Sequence, residues 1–368
     1  MTSPRIIADQ NMPLVEDYFG QLGKVMMMPG RDINRQSIEG AEILLVRSVT
    51  QVNKSLLEGS SVRFVGSATA GTDHIDLDYL NNKSIQFSHA PGSNADAVVQ
   101  YVLSAFSHLK PQWQQSRVGI VGCGNVGGRL YQKLVNLGIE CRVYDPFLNA
   151  SQIQDLVSFN EVLDCDIISL HTPLTTDGEF PTHHMFNQQV LAQLKPNCLL
   201  INAGRGAVID NLALIDRLRQ SDNLKVALDV WESEPQINTE LLDLVSIATP
   251  HIAGYSTEGK IRGTSMLYDA LCRSYLDREF IQQPSMSMED KKVPLDATGK
   301  VLSQLLLECY NIDADDQRMR ETLKQGETGQ GFDYLRKTYP QRREYSHYRV
   351  AADTALNRQL DLLGFSID

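Results

Sequence analysis

The chain has 368 residues, a net charge of −11, 42% hydrophobic residues and 21% charged ones. This length predicts two or three globular domains, and the acidic balance argues against nucleic acid or an anionic membrane as the partner. The six cysteines form no C-x-x-C pair, the N-terminus M-T-S-P-R-I-I-A-D has no long apolar core, and the longest apolar runs are strand-length, which predicts reduced thiols, no signal peptide, no membrane span and a cytoplasmic location.

In chain order, Ile6-Ile7-Ala8, Ile43 to Val46, Phe64-Val65 and Ile85 to Phe87 read as short buried parallel strands. Helical pieces fit Val15 to Leu22 and Lys54 to Leu57. This first α/β unit has no glycine fingerprint. Two of its strand ends carry polar residues, Arg47-Ser48-Val49-Thr50 and Ser67-Ala68-Thr69-Ala70-Gly71-Thr72, and open α/β sheets bind ligands beyond the carboxyl ends of their strands. Asn94-Ala95-Asp96 then starts a mostly apolar helix that runs to Leu109.

The next stretch organises the chain. A strand from Val118 to Val121 runs into Gly122, Gly124 and Gly127, which fill G-x-G-x-x-G with Asn125 and Val126 between them. A helix over 129–137 and a strand from Cys141 to Tyr144 follow, ending on Asp145, 21 residues after Gly124. The glycines suit a tight turn, a close approach to a pyrophosphate and close helix–strand packing. The helix N-terminus suits the phosphates, and Asp145 suits the ribose hydroxyls. An acid there repels a 2′-phosphate, so the expected cofactor is NAD rather than NADP. Further strands are expected at Ile167 to Leu170, Leu199 to Asn202, Val226 to Val230 and Ser246 to Thr249, with helices at Phe186 to Gln193 and Asn211 to Leu218. With the two fingerprint strands these make six, the complement of a doubly wound parallel-sheet (Rossmann) domain. Residues 284–298, with proline, serine and charge but no periodicity, read as a linker. The final segment, 299–368, shows amphipathic helices at Val301 to Tyr310 and near Glu321 and Thr354, and a stretch holding Arg342, Arg343 and Arg349. So short a segment predicts apolar faces buried against a partner subunit, most simply in a homodimer.

Three strand ends carry chemistry. I-N-A-G-R-G-A-V-I-D holds Arg205, A-L-D-V-W-E-S-E-P holds Asp229 and Glu234, and T-P-H-I-A-G-Y-S holds His251. Oxidising a 2-hydroxy acid needs a base for the hydroxyl proton and a cation for the carboxylate. His251 suits the first, because imidazole titrates near neutrality, and Arg205 the second. Glu234 can hold the far ring nitrogen of His251. Singly these residues are ordinary, and the other seven histidines have no comparable setting; of these, His171 best suits the cofactor pocket. The ordered set behind a nucleotide fingerprint carries the reading. No metal is expected. A phosphorylated substrate would place its phosphate away from Arg205, on Arg47, Ser48 and Thr69 of the first domain, with Tyr255 adding a hydroxyl from the cofactor-domain side.

These motifs, with H-T-P-L at His171 to Leu174, resemble the D-isomer-specific 2-hydroxyacid dehydrogenase family over residues 1 to about 285. The resemblance implies that the catalytic Arg, Glu and His fall on Arg205, Glu234 and His251. It places nicotinamide-side contacts on Thr172, Ala203, Gly204, Arg205, Asp229 and Gly254. It also implies a discontinuous fold: a flavodoxin-like substrate (lid) domain over 1–94 with a chain return at about 257–283, the NAD domain over 95–256, and a small C-terminal α+β dimerisation domain over 299–368. Asn11-Met12-Pro13, L-V-R-S-V-T-Q-V-N (Leu45 to Asn53), S-A-T-A-G-T-D-H (Ser67 to His74), Tyr255 and the C-terminal extension point to a branch acting on a small phosphorylated 2-hydroxy acid. The alternatives are a relative acting on another 2-hydroxy acid, such as phosphoglycerate, and a non-catalytic protein that senses NAD(H).

Overall fold

The computed structural model describes residues 3–220, 223–275, 292–324, 326–351 and 354–367. The chain divides into two compact units, Met1–Asn94 with Ser256–Asp290, and Ala95–Tyr255 with Lys291–Asp368. No described helix is long and apolar enough to cross a membrane.

In the first unit, β1 (Arg5–Asp9), β2 (Lys24–Met28), β3 (Ile43–Val46), β4 (Phe64–Ser67) and β5 (Gln86–His89) form a parallel sheet in the order β2-β1-β3-β4-β5, the flavodoxin-like order. Alternate residues feed two cores, with Ile6, Ala8, Ile43 and Leu45 on one face and Ile7, Leu44, Val46 and Val65 on the other. Burial on both faces explains why these strands read as unbroken apolar runs. β2 escaped that reading because it is an edge strand with Met26 43% and Met27 48% exposed. The sequence reading also passed over the short helix Leu77–Asn82, capped by Asp76 accepting from the Tyr79 N–H at 2.9 Å. The helix Thr257–Ala270 returns to this unit, and its Leu267 and Tyr268 complete the first core.

In the second unit, β6 (Val118–Val121), β7 (Cys141–Tyr144), β8 (Ile167–Leu170), β9 (Leu199–Asn202), β10 (Lys225–Leu228) and β11 (Ile247–Ala248) form a parallel sheet ordered β11-β10-β9-β8-β6-β7. These are the six expected strands. A parallel bridge from Val143 to Leu156 adds a rudiment beyond β7. The winding runs one way from β6 to β7 and the other way to β8, so the carboxyl ends of β6 and β8 lie side by side at the switch point.

The C-terminal residues belong to this same unit. β12 (Val293–Asp296), β13 (Tyr348–Ala351) and β14 (Ser366–Ile367) make a small parallel sheet. The linker reading of 284–298 is therefore corrected at Val293–Asp296; residues 284–291 lie outside the described residues. Pro294 masked the strand, yet β12 is an edge, where a missing N–H costs little. The helix Leu302–Cys309 packs against Ala95–Leu109, with Leu302, Leu305 and Leu306 in one core with Val102 and Phe106. These apolar faces, expected to wait for a partner subunit, are covered by their own chain. The helix Ile312–Lys324 docks on β11, where Asp316 Oδ1 accepts from the Ala248 N–H at 2.6 Å. A further helix, Thr328–Lys337, went unread because Gly329 and Gly331 weaken its helical pattern.

Candidate active site

The glycine turn after β6 is built by close contacts. Gly122 has φ +85°, and a Cβ there would meet the His171 carbonyl carbon at 2.9 Å. A Cβ on Gly127 would stand 1.9 Å from the Gly122 oxygen, so only hydrogen fits between turn and helix. Gly124 has nothing within 4 Å of its Cβ position. It caps the helix Asn125–Asn136, whose first residues are Asn125, Val126 and Gly127, so free N–H groups of that helix can meet an anion there. At the end of β7, Asp145 accepts from the Cys123 N–H through Oδ2 at 2.8 Å and from the Phe147 N–H through Oδ1 at 3.1 Å. Each oxygen keeps a lone pair for a ribose hydroxyl. Burial, with the charge of Asp145, pushes the Cys123 thiol up to about 11, so it stays neutral beside the turn.

Beyond β8, the Thr172 Oγ1 is buried with no partner among the described residues. This orphan hydroxyl, the open helix cap and the acid at β7 fit a dinucleotide. The sequence reading missed an aromatic pair next to the acid: Phe147, 77% exposed, meets Phe180 edge to face at 5.7 Å. An exposed phenylalanine two residues after the ribose acid was the available signal, and the pair offers a flat apolar surface to an adenine.

The reacting groups converge from β9, β10 and β11. Buried Asn202 accepts from the Gly204 N–H at 3.1 Å and donates to the Arg205 carbonyl at 2.9 Å, which bends Ala203–Arg205 over the end of β9. Arg205 is half-buried, and its Nη1 donates to the Gly204 carbonyl at 2.9 Å. A Cβ on Gly206 would stand 2.0 Å from the Trp231 carbonyl group, so this loop lies directly on the next. There, Glu234 accepts from the Trp231 N–H at 2.8 Å through Oε1 and meets His251 Nδ1 at 2.7 Å through Oε2. A carboxylate can only accept, so Nδ1 carries the proton and Nε2 is left as the base. Burial alone would push the Glu234 carboxyl up. The charge and hydrogen bond of His251, with the Trp231 N–H, outweigh it and hold Glu234 below the usual range, ionised at neutral pH.

His251 has φ +55°, the left-handed region, which a histidine occupies only when its surroundings insist. Asp229 supplies that insistence. Its carbonyl accepts from the His251 N–H at 2.7 Å, Oδ1 accepts from the Thr249 hydroxyl at 2.7 Å and the Ile252 N–H at 2.8 Å, and Oδ2 accepts from the Ala253 N–H at 2.9 Å. Only Oδ2, with a single bond, keeps an obvious lone pair. Burial raises the Asp229 carboxyl above its usual range, against the pull of His251, Thr249 and the two N–H groups. Gly254 and Tyr255, both half-buried, complete the loop.

Around this centre, burial lowers His171 to about 4, a neutral ring paired with the Ser169 hydroxyl at 2.9 Å. His183, His184 and Glu232 bring three possible ligand atoms within 4.8 Å of one another. His184 is hydrogen-bonded to Glu232, and Glu232 Oε2 accepts from the Asn211 N–H at 3.0 Å. These bonds brace the Trp231–Pro235 loop two residues from Glu234. Sequence reasoning gave His183 and His184 no functional setting, since nothing local marks so distant a pairing as His184 with Glu232.

The remaining predicted residues belong to the first unit. After β3, Arg47 is half-buried and Ser48 exposed. Among the described residues the Arg47 guanidinium has no hydrogen-bond or ion-pair partner. After β4, Thr69 Oγ1 donates to the Gly71 carbonyl at 2.8 Å and meets the Ser67 hydroxyl at 2.7 Å, which in turn meets His74 Nε2 at 2.8 Å.

Residues 98–253 match the family described as D-isomer specific 2-hydroxyacid dehydrogenase, NAD binding domain, and residues 280–364 match a domain of unknown function (DUF3410). The chain is 46% identical to the erythronate-4-phosphate dehydrogenase of Cellvibrio japonicus (strain Ueda107), over 98% of this chain and 99% of that one. It is likewise 46% identical to the protein of the same name from Teredinibacter turnerae, over 99% of both. Among solved structures it resembles the NAD+-bound 3-phosphoglycerate dehydrogenase of Entamoeba histolytica, with a TM-score of 0.65 and 24% identity over 77% of this chain and 99% of that one. That last likeness concerns the fold alone.

Proposed function

The chain belongs to the erythronate-4-phosphate dehydrogenases, within the D-isomer-specific 2-hydroxyacid dehydrogenase family, and from that membership we propose that it oxidises 4-phospho-D-erythronate at C2 to (R)-3-hydroxy-2-oxo-4-phosphobutanoate, a step of pyridoxal 5′-phosphate biosynthesis. It is an NAD-dependent oxidoreductase. When bound, NAD accepts the hydride from C2.

The observation that carries the reading is the 2.7 Å contact between Glu234 and His251 Nδ1. It leaves Nε2 as the acceptor for the C2 hydroxyl proton, and ionised Glu234 stabilises the imidazolium that results. Arg205 takes the substrate carboxylate and draws electron density toward the forming carbonyl. Gly122, Gly124, Asn125, Val126 and Gly127 hold the pyrophosphate, and Asp145 the adenosine ribose. Thr172, Ala203, Gly204, Asp229 and Gly254 face the nicotinamide end. Arg47, Ser48 and Thr69 hold the substrate phosphate; an Arg47 guanidinium with no partner among the described residues supports this, and the Thr69 hydroxyl can donate to it by giving up the Gly71 carbonyl. Tyr255 is a further substrate donor. The test is NADH formation with 4-phosphoerythronate beside erythronate, 3-phosphoglycerate and D-lactate. Preference for the first supports the reading; preference for another acid moves the chain to a different substrate; cofactor binding without turnover would make it a sensor of NAD(H).

A homodimer in the cytoplasm completes the proposal. Val293, Val301 and Tyr334 on the C-terminal segment are 43%, 62% and 59% exposed, which supports a self-associating surface there. Sedimentation should return twice the chain mass, and a Val301→Glu variant should weaken the association.

A further inference from the structure

The loop after β11 uses its backbone donors almost completely. The His251 N–H goes to the Asp229 carbonyl at 2.7 Å, and the Ile252 and Ala253 N–H groups go to Asp229 Oδ1 at 2.8 Å and Oδ2 at 2.9 Å. The Tyr255 N–H goes to the Ile252 carbonyl at 2.8 Å. In this run from His251 to Tyr255, only the Gly254 N–H has no hydrogen-bond partner among the described residues. Gly254 is half-buried, and a spare donor beside His251 is one that a ligand can take. The carbonyl of the same peptide is already held. Ala253 O accepts from Arg342 Nη2, which also donates to the Ala97 carbonyl at 3.3 Å. Arg342 is 6% exposed and lies over the Tyr310 ring at 4.4 Å. The Tyr310 hydroxyl donates to Asp315 Oδ2 at 2.8 Å, so the ring under the guanidinium is itself tied into the C-terminal segment. Two further donor sites of Arg342, Nε and Nη1, are buried with no partner among the described residues. Unfilled buried donors cost stability, and an apolar side chain would fill the same space without that cost.

We propose that Arg342 is a positioning residue for the cofactor, acting through the Ala253–Gly254 peptide. The C=O and N–H of a trans peptide point in opposite directions. Holding the Ala253 carbonyl against the C-terminal segment therefore aims the Gly254 N–H away from that segment. A glycine lets such a peptide turn over at little cost, and Arg342 removes that freedom. The same loop keeps a spare lone pair on Asp229 Oδ2. One donor and one acceptor together match a primary amide, which accepts through its oxygen and donates through its nitrogen. The nicotinamide ring carries such an amide, and fixed partners for it orient the ring for hydride transfer. The C-terminal segment thus takes part in seating the reactive end of the cofactor. This inference rests on the reading above that Asp229 and Gly254 face the nicotinamide.

The experiment measures the affinities of NADH and ADP-ribose for the wild type, Arg342→Met and Arg342→Lys. ADP-ribose carries the adenosine, the pyrophosphate and the second ribose of the cofactor but no nicotinamide. Arg342→Met should weaken NADH roughly five- to ten-fold and leave ADP-ribose within about two-fold. Arg342→Lys keeps the charge without the fork, so it should show the same split at roughly two- to three-fold. Equal weakening of both ligands would make Arg342 a support of the fold, and an unchanged NADH affinity would mean that it does not control the Gly254 peptide. Either result overturns the inference. A measurement on the wild type guards against variants that misfold: the Gly254 amide, followed by NMR, should shift with NADH and stay in place with ADP-ribose. An amide that ignores NADH removes the nicotinamide placement beneath the inference, and the inference with it. An amide that responds, in a protein whose variants bind NADH normally, removes the role of Arg342 alone. Neither readout needs turnover, so both hold whichever acid is oxidised.

Discussion

The two larger parallel sheets present opposite kinds of loop at their carboxyl ends. In the six-stranded sheet the polar groups are spent on one another. Asp229 accepts one hydrogen bond through its carbonyl and three through its carboxylate, Glu234 holds two partners, and His251 is kept at a positive φ by the first of these. In the five-stranded sheet the Arg47 guanidinium has no hydrogen-bond or ion-pair partner among the described residues and Ser48 is exposed, while the Thr69 hydroxyl is tied to Ser67 and the Gly71 carbonyl. A proton must move along a fixed line, so its acceptor is rigidly pre-positioned. An anion arriving from water needs donors that are not already satisfied. Within one molecule, filled hydrogen bonds hold the proton acceptor, and an unfilled guanidinium marks the expected anchor.

The largest test of this contrast is His251→Asn. Removing the base should cut kcat by roughly 10²- to 10⁴-fold with NAD affinity little changed; a variant that stays active would mean the rigid loop serves something other than proton transfer. Next is Arg47→Ala, expected to lower kcat/KM on the phosphorylated acid roughly ten- to a hundred-fold and far less on unphosphorylated erythronate. Equal losses on both acids would make Arg47 a support of its fold. Glu234→Gln should cost about ten-fold and sharpen the electrostatics. Glu234 places its negative charge 2.7 Å from His251 Nδ1. Oxidation needs the neutral ring, so losing that charge should move the acidic limb to lower pH. The smallest effect should come from Asp145→Ala, narrowing the NAD-over-NADP preference in kcat/KM by a few-fold to about ten-fold.

The sequence disclosed most where burial and backbone demand coincide. Ile43–Val46 and Asn211–Leu218 are read to the residue because both faces of the strand, or one stripe of the helix, lie in a core. The fingerprint was legible because Gly122 and Gly127 answer steric demands that no other residue meets. What stayed hidden has little local signature. β2 and β12 are edges with exposed or proline-bearing residues. The helix Thr328–Lys337 forms despite Gly329 and Gly331 because Phe332 and Leu335 are buried in the core, so long-range packing overrode helix propensity. The hydrogen bonds of Asp229 reach 20 to 24 residues ahead, and those of Arg342 to the Ala97 and Ala253 carbonyls span far more. In the stretch holding Arg342, Arg343 and Arg349, Arg342 is buried over the Tyr310 ring at 4.4 Å, a contact with no local sequence signal.

The helix Ala95–Leu109 has a consequence for how the protein is made. Its Ser104 hydroxyl donates to the Tyr310 carbonyl at 2.7 Å, 206 residues later, and Leu305 and Leu306 close over the same helix. A ribosome adding roughly 5–20 residues per second leaves that apolar face uncovered for about 10–40 s after it emerges. During this interval the strands of the six-stranded sheet leave the exit tunnel one after another, but their core cannot be sealed. The nascent chain should therefore depend on a chaperone that shields apolar surface until its last segment arrives. A chain ending at residue 283 would stay in this state permanently and should collect in the insoluble fraction.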